Sequence, residues 1–217
     1  MAEGTLEITI VNQDAAPPAF DGTLITGWHV PSRAEFQTLM EYYDAAGLYN
    51  NNTAGGDLKE AGTALWTTPN TNAANTDGFA GLPGGERTVL GAFGYRNTRC
   101  NFWNDEGYPG MGYYSYLLYN DGIFHTSKAP NSYAKPIKEG LSIRPIKDDP
   151  SDWTAGDVAT DYDGNVYPTV KIGAQVWMAA NLATTHYADG TPIPIVTDNA
   201  TWAGLATAGM CYYNNTP

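Results

Sequence analysis

Residues 161–182 read Asp161-Tyr-Asp-Gly-Asn-Val-Tyr-Pro-Thr-Val-Lys-Ile-Gly-Ala-Gln-Val-Trp-Met-Ala-Ala-Asn-Leu182. Val166 to Ile172 and Gln175 to Met178 are strand-forming runs on either side of Gly173-Ala174, a pattern that predicts a hairpin. Ahead of them, Asp161-Tyr-Asp-Gly-Asn165 is turn chemistry, in which Asp and Asn bond their own backbone and Gly164 takes a positive φ. Two earlier stretches are as distinctive: Gly27-Trp-His-Val-Pro-Ser-Arg-Ala-Glu-Phe36 and Gly78-Phe-Ala-Gly-Leu-Pro-Gly-Gly-Glu-Arg87.

Outward from these motifs the chain is loop-rich. It has 217 residues, with 24 glycines, 14 prolines, 12% aromatic residues and only 16% charged ones. That length buries a real core and suits one large or two small domains. The composition fits neither a helical bundle nor a disordered tail. A net charge of -12 repels phosphate backbones and anionic lipid, so neither nucleic acid nor a membrane surface is an expected partner. No apolar run of about 18 residues is present to insert into a bilayer. The first residues, Met1-Ala-Glu-Gly-Thr-Leu-Glu7, show no export signal: a signal was removed, or none is used.

Leu6 to Val11 alternates as a half-buried strand, and Asp14 to Gly22 reads as a linker. One strand cannot stand alone, so this one pairs with a sheet of this chain or a neighbour. Ser32 to Ala46 is the clearest helix: Ser32 caps it, Glu35 completes a capping box and Gly47 stands at the exit. Phe36, Leu39, Met40 and Tyr43 form its core-facing stripe. Asp57 to Ala61 holds at most two helical turns, and a short helix starts at Asn199 with Trp202 and Leu205 inward. Leu82-Pro-Gly-Gly85 requires a positive φ. Tyr113 to Thr126 reads as a hairpin around Asn120-Asp-Gly122. Leu141 to Ile146 is a strand that Pro145 places at an edge or a bulge, and 148–159 is a polar bridge.

The three motifs resemble the Fibrobacter succinogenes major paralogous domain, a bacterial family related to the C-type-lectin-like fold and to formylglycine-generating enzymes. The resemblance covers about residues 27–147 and 160–215. It implies an α+β fold of twisted antiparallel strands, one or two helices and long loops. In that family the block matching 161–182 opens the domain; here it comes last. The expected organisation is therefore an N-terminal strand and linker (1–26, a docking arm), the second half of the domain (27–149), and a linker with the first half (150–217). Three accounts are open: circular permutation within the chain, exchange of the C-terminal third between chains in a homo-oligomer, or a fragment of a tandem array. On the permuted or exchanged reading, the segments carrying Trp28 and Trp177 complete one hydrophobic interior. Family members often pair a cysteine matching Cys211 with one in the last strand, where this chain has Pro145. A Cys100–Cys211 bridge and two buried thiols are both open.

Chemical motifs are sparse. No phosphate loop, HExxH or paired CxxC occurs, no Ser or Cys nucleophile pairs with a base, and no enzyme activity or cofactor is expected. His29 is structural by the resemblance, and His186 sits in a solvated turn. Asp161–Asn165 resembles the start of a calcium loop, but an EF-hand requires an acid where Ile172 stands, so the turn is preferred and calcium is the alternative. What remains is a surface. From Tyr95 to Tyr133 the chain mixes Tyr and Trp with Asn, Ser and Gly, the composition of binding loops. The candidate ligand-binding residues are Arg96, Asn97, Arg99, Asn101, Trp103, Asn104, Tyr108, Tyr113, Tyr114 and His125. The resemblance places a ligand face just before the last strand. This region also resembles the variable region of retroelement-diversified proteins, which ends in a similar Ser-Ile-Arg-Pro. The expectation is a non-enzymatic recognition and display module, a phage virion decoration or fibre protein binding a surface glycan or protein, docked on a larger assembly by its N-terminal strand. The alternatives are a secreted bacterial cell-surface binding protein or a purely structural cement protein.

Overall fold

The computed structural model describes residues 6–9, 23–48, 51–126 and 133–217, the first of these stretches as backbone only. The first half contains β1 (Leu6–Thr9), β2 (Trp28–His29), α1 (Arg33–Tyr43), α2 (Ala54–Leu58), β3 (Glu86–Arg87) and β4 (Phe93–Gly94). It continues with two long strands, β5 (Arg99–Tyr108) and β6 (Met111–Leu118), then β7 (Phe124–His125), β8 (Ala134–Pro136) and β9 (Ile146–Lys147). The second half contains β10 (Val158–Thr160), β11 (Val166–Ile172), β12 (Gln175–Met178), α3 (Asn199–Ala203) and β13 (Gly209–Tyr212). The result is a mostly-sheet α+β fold with few helices and a curled antiparallel sheet.

The join between the halves is a five-stranded sheet in the order β10-β11-β12-β9-β2. Ile146 of β9 lies between Trp177 of β12 and His29 of β2, so one strand of the first half bonds the C-terminal hairpin on one side and the Trp28 strand on the other. Residues directly across a sheet share a face, and their chain neighbours take the opposite one. Trp177 and Ile146 therefore pack with Phe36, Phe102, Leu117 and Phe124 in one core. Trp28, Val176 and Met178 pack with Trp103, Leu141 and Ile143 in another. The single interior expected from the motifs is thus corrected to two cores on opposite faces of one sheet, each assembled from both halves.

Local chemistry accounts for the elements. Ser32 and Glu35 form the capping box: Glu35 N–H donates to Ser32 Oγ at 3.2 Å and Ser32 N–H to Glu35 Oε2 at 2.7 Å. α1 stops at Tyr43 with Asp44 as its C-cap, three residues before the expected end. α2 starts at Ala54, earlier than Asp57, where Gly55 lets the helix abut the backbone of Ile123 and Phe124. The β11–β12 hairpin has the expected bounds, with Gly173 at φ 60. α3 is capped by Asp198, which accepts from Thr201 N–H at 2.7 Å, and buries Trp202. Gly85 supplies the positive φ expected of Leu82–Gly85. The strand expected over 141–146 is broken over 143–145, where the Ile143 and Pro145 carbonyls accept from Leu182 and Met178 N–H at 2.9 and 3.1 Å, and only Ile146 belongs to a regular strand. β1 pairs with β13 of the same chain; residues 10–11 of that expected strand, and the expected linker 14–22, lie outside the described residues.

Among the described residues, three cations are fully buried and bonded largely to backbone acceptors. Arg144 donates to Phe79 O, Ala80 O and Met178 O, and through Nε and Nη2 to Asn181 Oδ1 at 3.0 and 2.7 Å. Its guanidinium lies over the rings of Phe79 and Phe102. Arg87 donates to Val196 O, Thr197 O and Asn199 Oδ1 and stacks on Trp202 at 4.2 Å. Lys59 donates to the carbonyls of Thr71, Leu118 and Asp121 at 2.8, 2.9 and 2.6 Å. The two arginines stitch the 78–87 motif to the C-terminal third, which is how the halves are held together by polar bonds as well as by packing.

Candidate functional site

The site grows from the β5–β6 hairpin. Its register pairs Arg99 with Leu118, Asn101 with Tyr116 and Trp103 with Tyr114, and β7 adds His125 opposite Tyr116. With a period of two, Cys100, Phe102 and Leu117 enter the core, while Arg99, Asn101, Trp103, Tyr114, Tyr116 and His125 share the other face. Tyr116 stacks on His125 with centroids 4.3 Å apart and rings 3° from parallel, and Tyr114 stacks on Tyr116 at 5.4 Å. Tyr133 meets Tyr116 edge-on at 5.4 Å. Arg99 lies over Tyr95 at 4.3 Å and over Tyr116 at 5.4 Å, so the face is a continuous aromatic row with a guanidinium across it.

A charged cluster closes one end. Lys135 Nζ is 3.1 Å from Glu86 and 2.5 Å from Glu139, and it lies over the Tyr114 ring. Arg99 is 3.8 Å from Glu86, and Asn101 Nδ2 donates to Gly85 O at 3.0 Å and to Glu86 at 3.3 Å. Arg99 Nε and Asn101 Oδ1 are shielded from solvent and have no hydrogen-bond partner among the described residues. Burial pulls the Lys135 ammonium down, but its bonds to Glu139 and Glu86 outweigh that and raise it. Burial dominates at Glu139 and lifts its carboxyl despite Lys135. Burial also raises the Tyr114 and Tyr116 hydroxyls, which keeps both rings neutral.

The ten expected ligand residues divide. Arg99, Tyr114 and the rim of His125 belong to this face, as do Asn101 and Trp103 beneath it. Trp103 is a correction: it is a core residue of the Trp28 cluster, with 4% of its surface exposed. Asn101 is buried and braces the charged cluster. Asn104 is also interior, accepting from Ser115 Oγ at 3.2 Å, and Tyr113 is buried beside Arg33. Asn97 holds a turn at φ 66, its N–H donating to Pro83 O. Arg96 stacks on Tyr213 at 5.2 Å, away from the row, and Tyr108 sits at the hairpin tip. The residues of this face absent from the ten candidates are Glu86, Tyr95, Tyr116, Lys135 and Glu139. Glu86 and Lys135 are far apart in the chain, and only the four-residue spacing of Lys135 and Glu139 was visible.

Among the described residues no group of three or more His, Cys, Asp or Glu side chains is placed to hold a metal ion. Asp161 spends its carboxylate on the N–H and side chain of Asn165 and on the Tyr167 hydroxyl at 2.6 Å, as a turn residue does. Asp163 accepts from Thr184, Thr185 and His186. Cys100 is buried in the Phe36 core and Cys211 in a smaller cluster with Trp202 and Leu205, and burial pushes the Cys100 thiol up to about 12. No described helix is long and apolar enough to cross a membrane.

A family model described as the Fibrobacter succinogenes major domain matches residues 23–147. No curated protein and no solved structure matches the chain.

Proposed function

The chain belongs to the Fibrobacter succinogenes major domain family, and from that premise we propose that it is a non-enzymatic recognition and display module whose aromatic face takes a surface glycan. The observation that carries this reading is the row Tyr95–Arg99–Tyr116–Tyr114, backed by Asn101 and the Glu86–Lys135–Glu139 cluster. Flat rings stack on the apolar faces of sugars, while fixed forks and carboxylates read hydroxyls. We read the architecture as C-type-lectin-like with its opening motif moved to the end. The shared cores and the Arg144 bonds support completion of the domain by the C-terminal third, whether by permutation or by exchange. The setting proposed is a virion decoration or fibre protein.

The test is a glycan array probed with the parent chain, Tyr95→Ala, Arg99→Ala and Tyr116→Ala. Tyr95 is 52% exposed, so its removal leaves the fold alone. Loss of the bound signal in all three, with melting of Tyr95→Ala unchanged, is the expected result; retention in all three ends the reading. One observation favours a second reading, an assembly protein: Val158, Tyr162 and Val166 are each more than half exposed at the β10–β11 edge of the sheet. A chain that binds no glycan but self-associates through that edge would be cement.

A further inference from the structure

We propose that the cavity between β2 and the interrupted part of β5 is a separate binding site, which takes a small organic cation, an alkylammonium in chemical class, with Asp105 as acceptor for its N–H donors. The cavity has a volume of about 330 Å³. Leu24, Ile25, Trp28, Val30 and Pro145 supply apolar walls, and Asp105 is the carboxylate on its lining. It shares no lining residue with the aromatic face and stands without the glycan reading.

Asp105 reaches the cavity because the hairpin is irregular. The β5–β6 ladder shifts register between Trp103 and Gly107, and inside that break Asp105 N–H donates to Pro31 O at 3.0 Å rather than to β6. Such a bulge re-aims the side chain that it displaces. Asp105 Oδ1 is shielded from solvent and has no hydrogen-bond partner among the described residues. A buried acceptor without a donor costs free energy, and a charged one costs more.

The surroundings do not meet that need. His29 lines the cavity, but its ring nitrogens are engaged by Glu35 and Asp148 at 2.9 and 2.6 Å. Glu106 on the same strand and Glu35 on α1 face Asp105 with like charge, His29 opposes them, and Arg33 is turned toward Glu106 at 3.5 Å. Burial first, then Glu106 and Glu35, push the Asp105 carboxyl up to about 6. A cationic donor answers both the missing hydrogen bond and the excess negative charge. A neutral alcohol answers one of these and an anion neither. The apolar walls require the remainder of the ligand to be hydrocarbon.

The test is titration of the full chain with n-butylammonium, against n-butanol and butyrate, followed by the chemical shift of the Trp28 indole. Saturable shifts are expected for n-butylammonium alone. Its affinity should fall about tenfold between neutral pH and a pH one unit below the Asp105 value, as the carboxyl takes up its proton. Asp105→Asn should abolish the response and melt at a higher temperature than the parent near neutral pH, because it removes an unpaired charge. The proposal is overturned by an equal response to butanol or butyrate, by no saturable response in the parent, or by a response that survives Asp105→Asn. A destabilised Asp105→Asn also overturns it, because the carboxylate would then be held by the fold itself.

Discussion

Arg144 and Asn181 face each other across the join of the two halves, with the guanidinium Nε and Nη2 at 3.0 and 2.7 Å from the one amide oxygen. The remaining donors go to Phe79, Ala80 and Met178 carbonyls, so a single side chain touches the motif at 78–87 and the motif at 161–182. Burial pulls its guanidinium down to about 10, still charged near neutrality, without a carboxylate partner. Arg144→Lys keeps a charge but loses the fork, leaving buried carbonyls without donors. A loss of roughly 2–4 kcal/mol in urea unfolding is expected. A loss below about 0.5 kcal/mol would show that the bonds do not hold the join.

His29 adds a pH-dependent tie within the first half, between β2, the start of α1 and Asp148. Its hydrogen bond to Glu35 is the largest influence and, with that to Asp148, raises the imidazole from 6.5 to about 9 against the opposing effect of burial. A raised histidine contributes its stabilisation fully below the unfolded value of 6.5 and loses it as the pH climbs through 9. The Glu35 carboxyl is lowered, so its share is present above its unfolded value and fades toward acid. The urea midpoint of the parent should exceed that of His29→Gln near pH 6 and converge on it above pH 9. A gap that stays constant across this range contradicts the tie.

Glycine is required where α2 meets the turn into β7. A Cβ at Gly55 would press into the Ile123 carbonyl and lie 2.8 Å from Phe124 N, both backbone atoms that cannot swing aside. Gly55→Ala should therefore cost about 1–3 kcal/mol. Gly62→Ala, at φ +78 but with open space around it, carries only the strain of its dihedral. Thermal melts of the two variants give the comparison; equal losses would mean that close packing at Gly55 is not limiting.

The 161–165 turn offers a direct check on calcium. Its bonds are already made within the protein: Asp161 receives Asn165 and Tyr167. Adding calcium or a chelator should leave the melting temperature unchanged, while Asp161→Ala should lower stability by about 1–3 kcal/mol. A melting temperature that rises with calcium would restore the metal reading.

The sequence exposed the local signals and concealed the polar interior. Ser32 with Glu35, the Gly173 hairpin and the helix at Asn199 were legible because each rests on neighbouring residues. The long β5 was not, since Asn101, Asn104 and Gly107 read as loop composition; in the fold Asn101 and Asn104 are buried and bond Gly85 O and Ser115. The cations misled in the same way. In a chain with 11 Lys and Arg, Arg96 and Arg99 looked available for ligand, while Arg87, Arg144 and Lys59 vanish into the core. Trp103 failed as a ligand residue because period two on a paired strand cannot tell an outer face from a second core. The partners of Glu86 lie 13 and 49 positions away, at Arg99 and Lys135, and no local pattern announces such a cluster.

Residues 150–217 complete both cores of residues 27–149, although the family match ends at residue 147. The direct measurement is near-ultraviolet circular dichroism with urea unfolding of the 1–149 fragment, alone and after addition of the 150–217 fragment. The prediction is a fragment without fixed aromatic packing or a cooperative transition, both restored by its complement. A 1–149 fragment that unfolds cooperatively alone, with the aromatic signal of its own tryptophans intact, would contradict it.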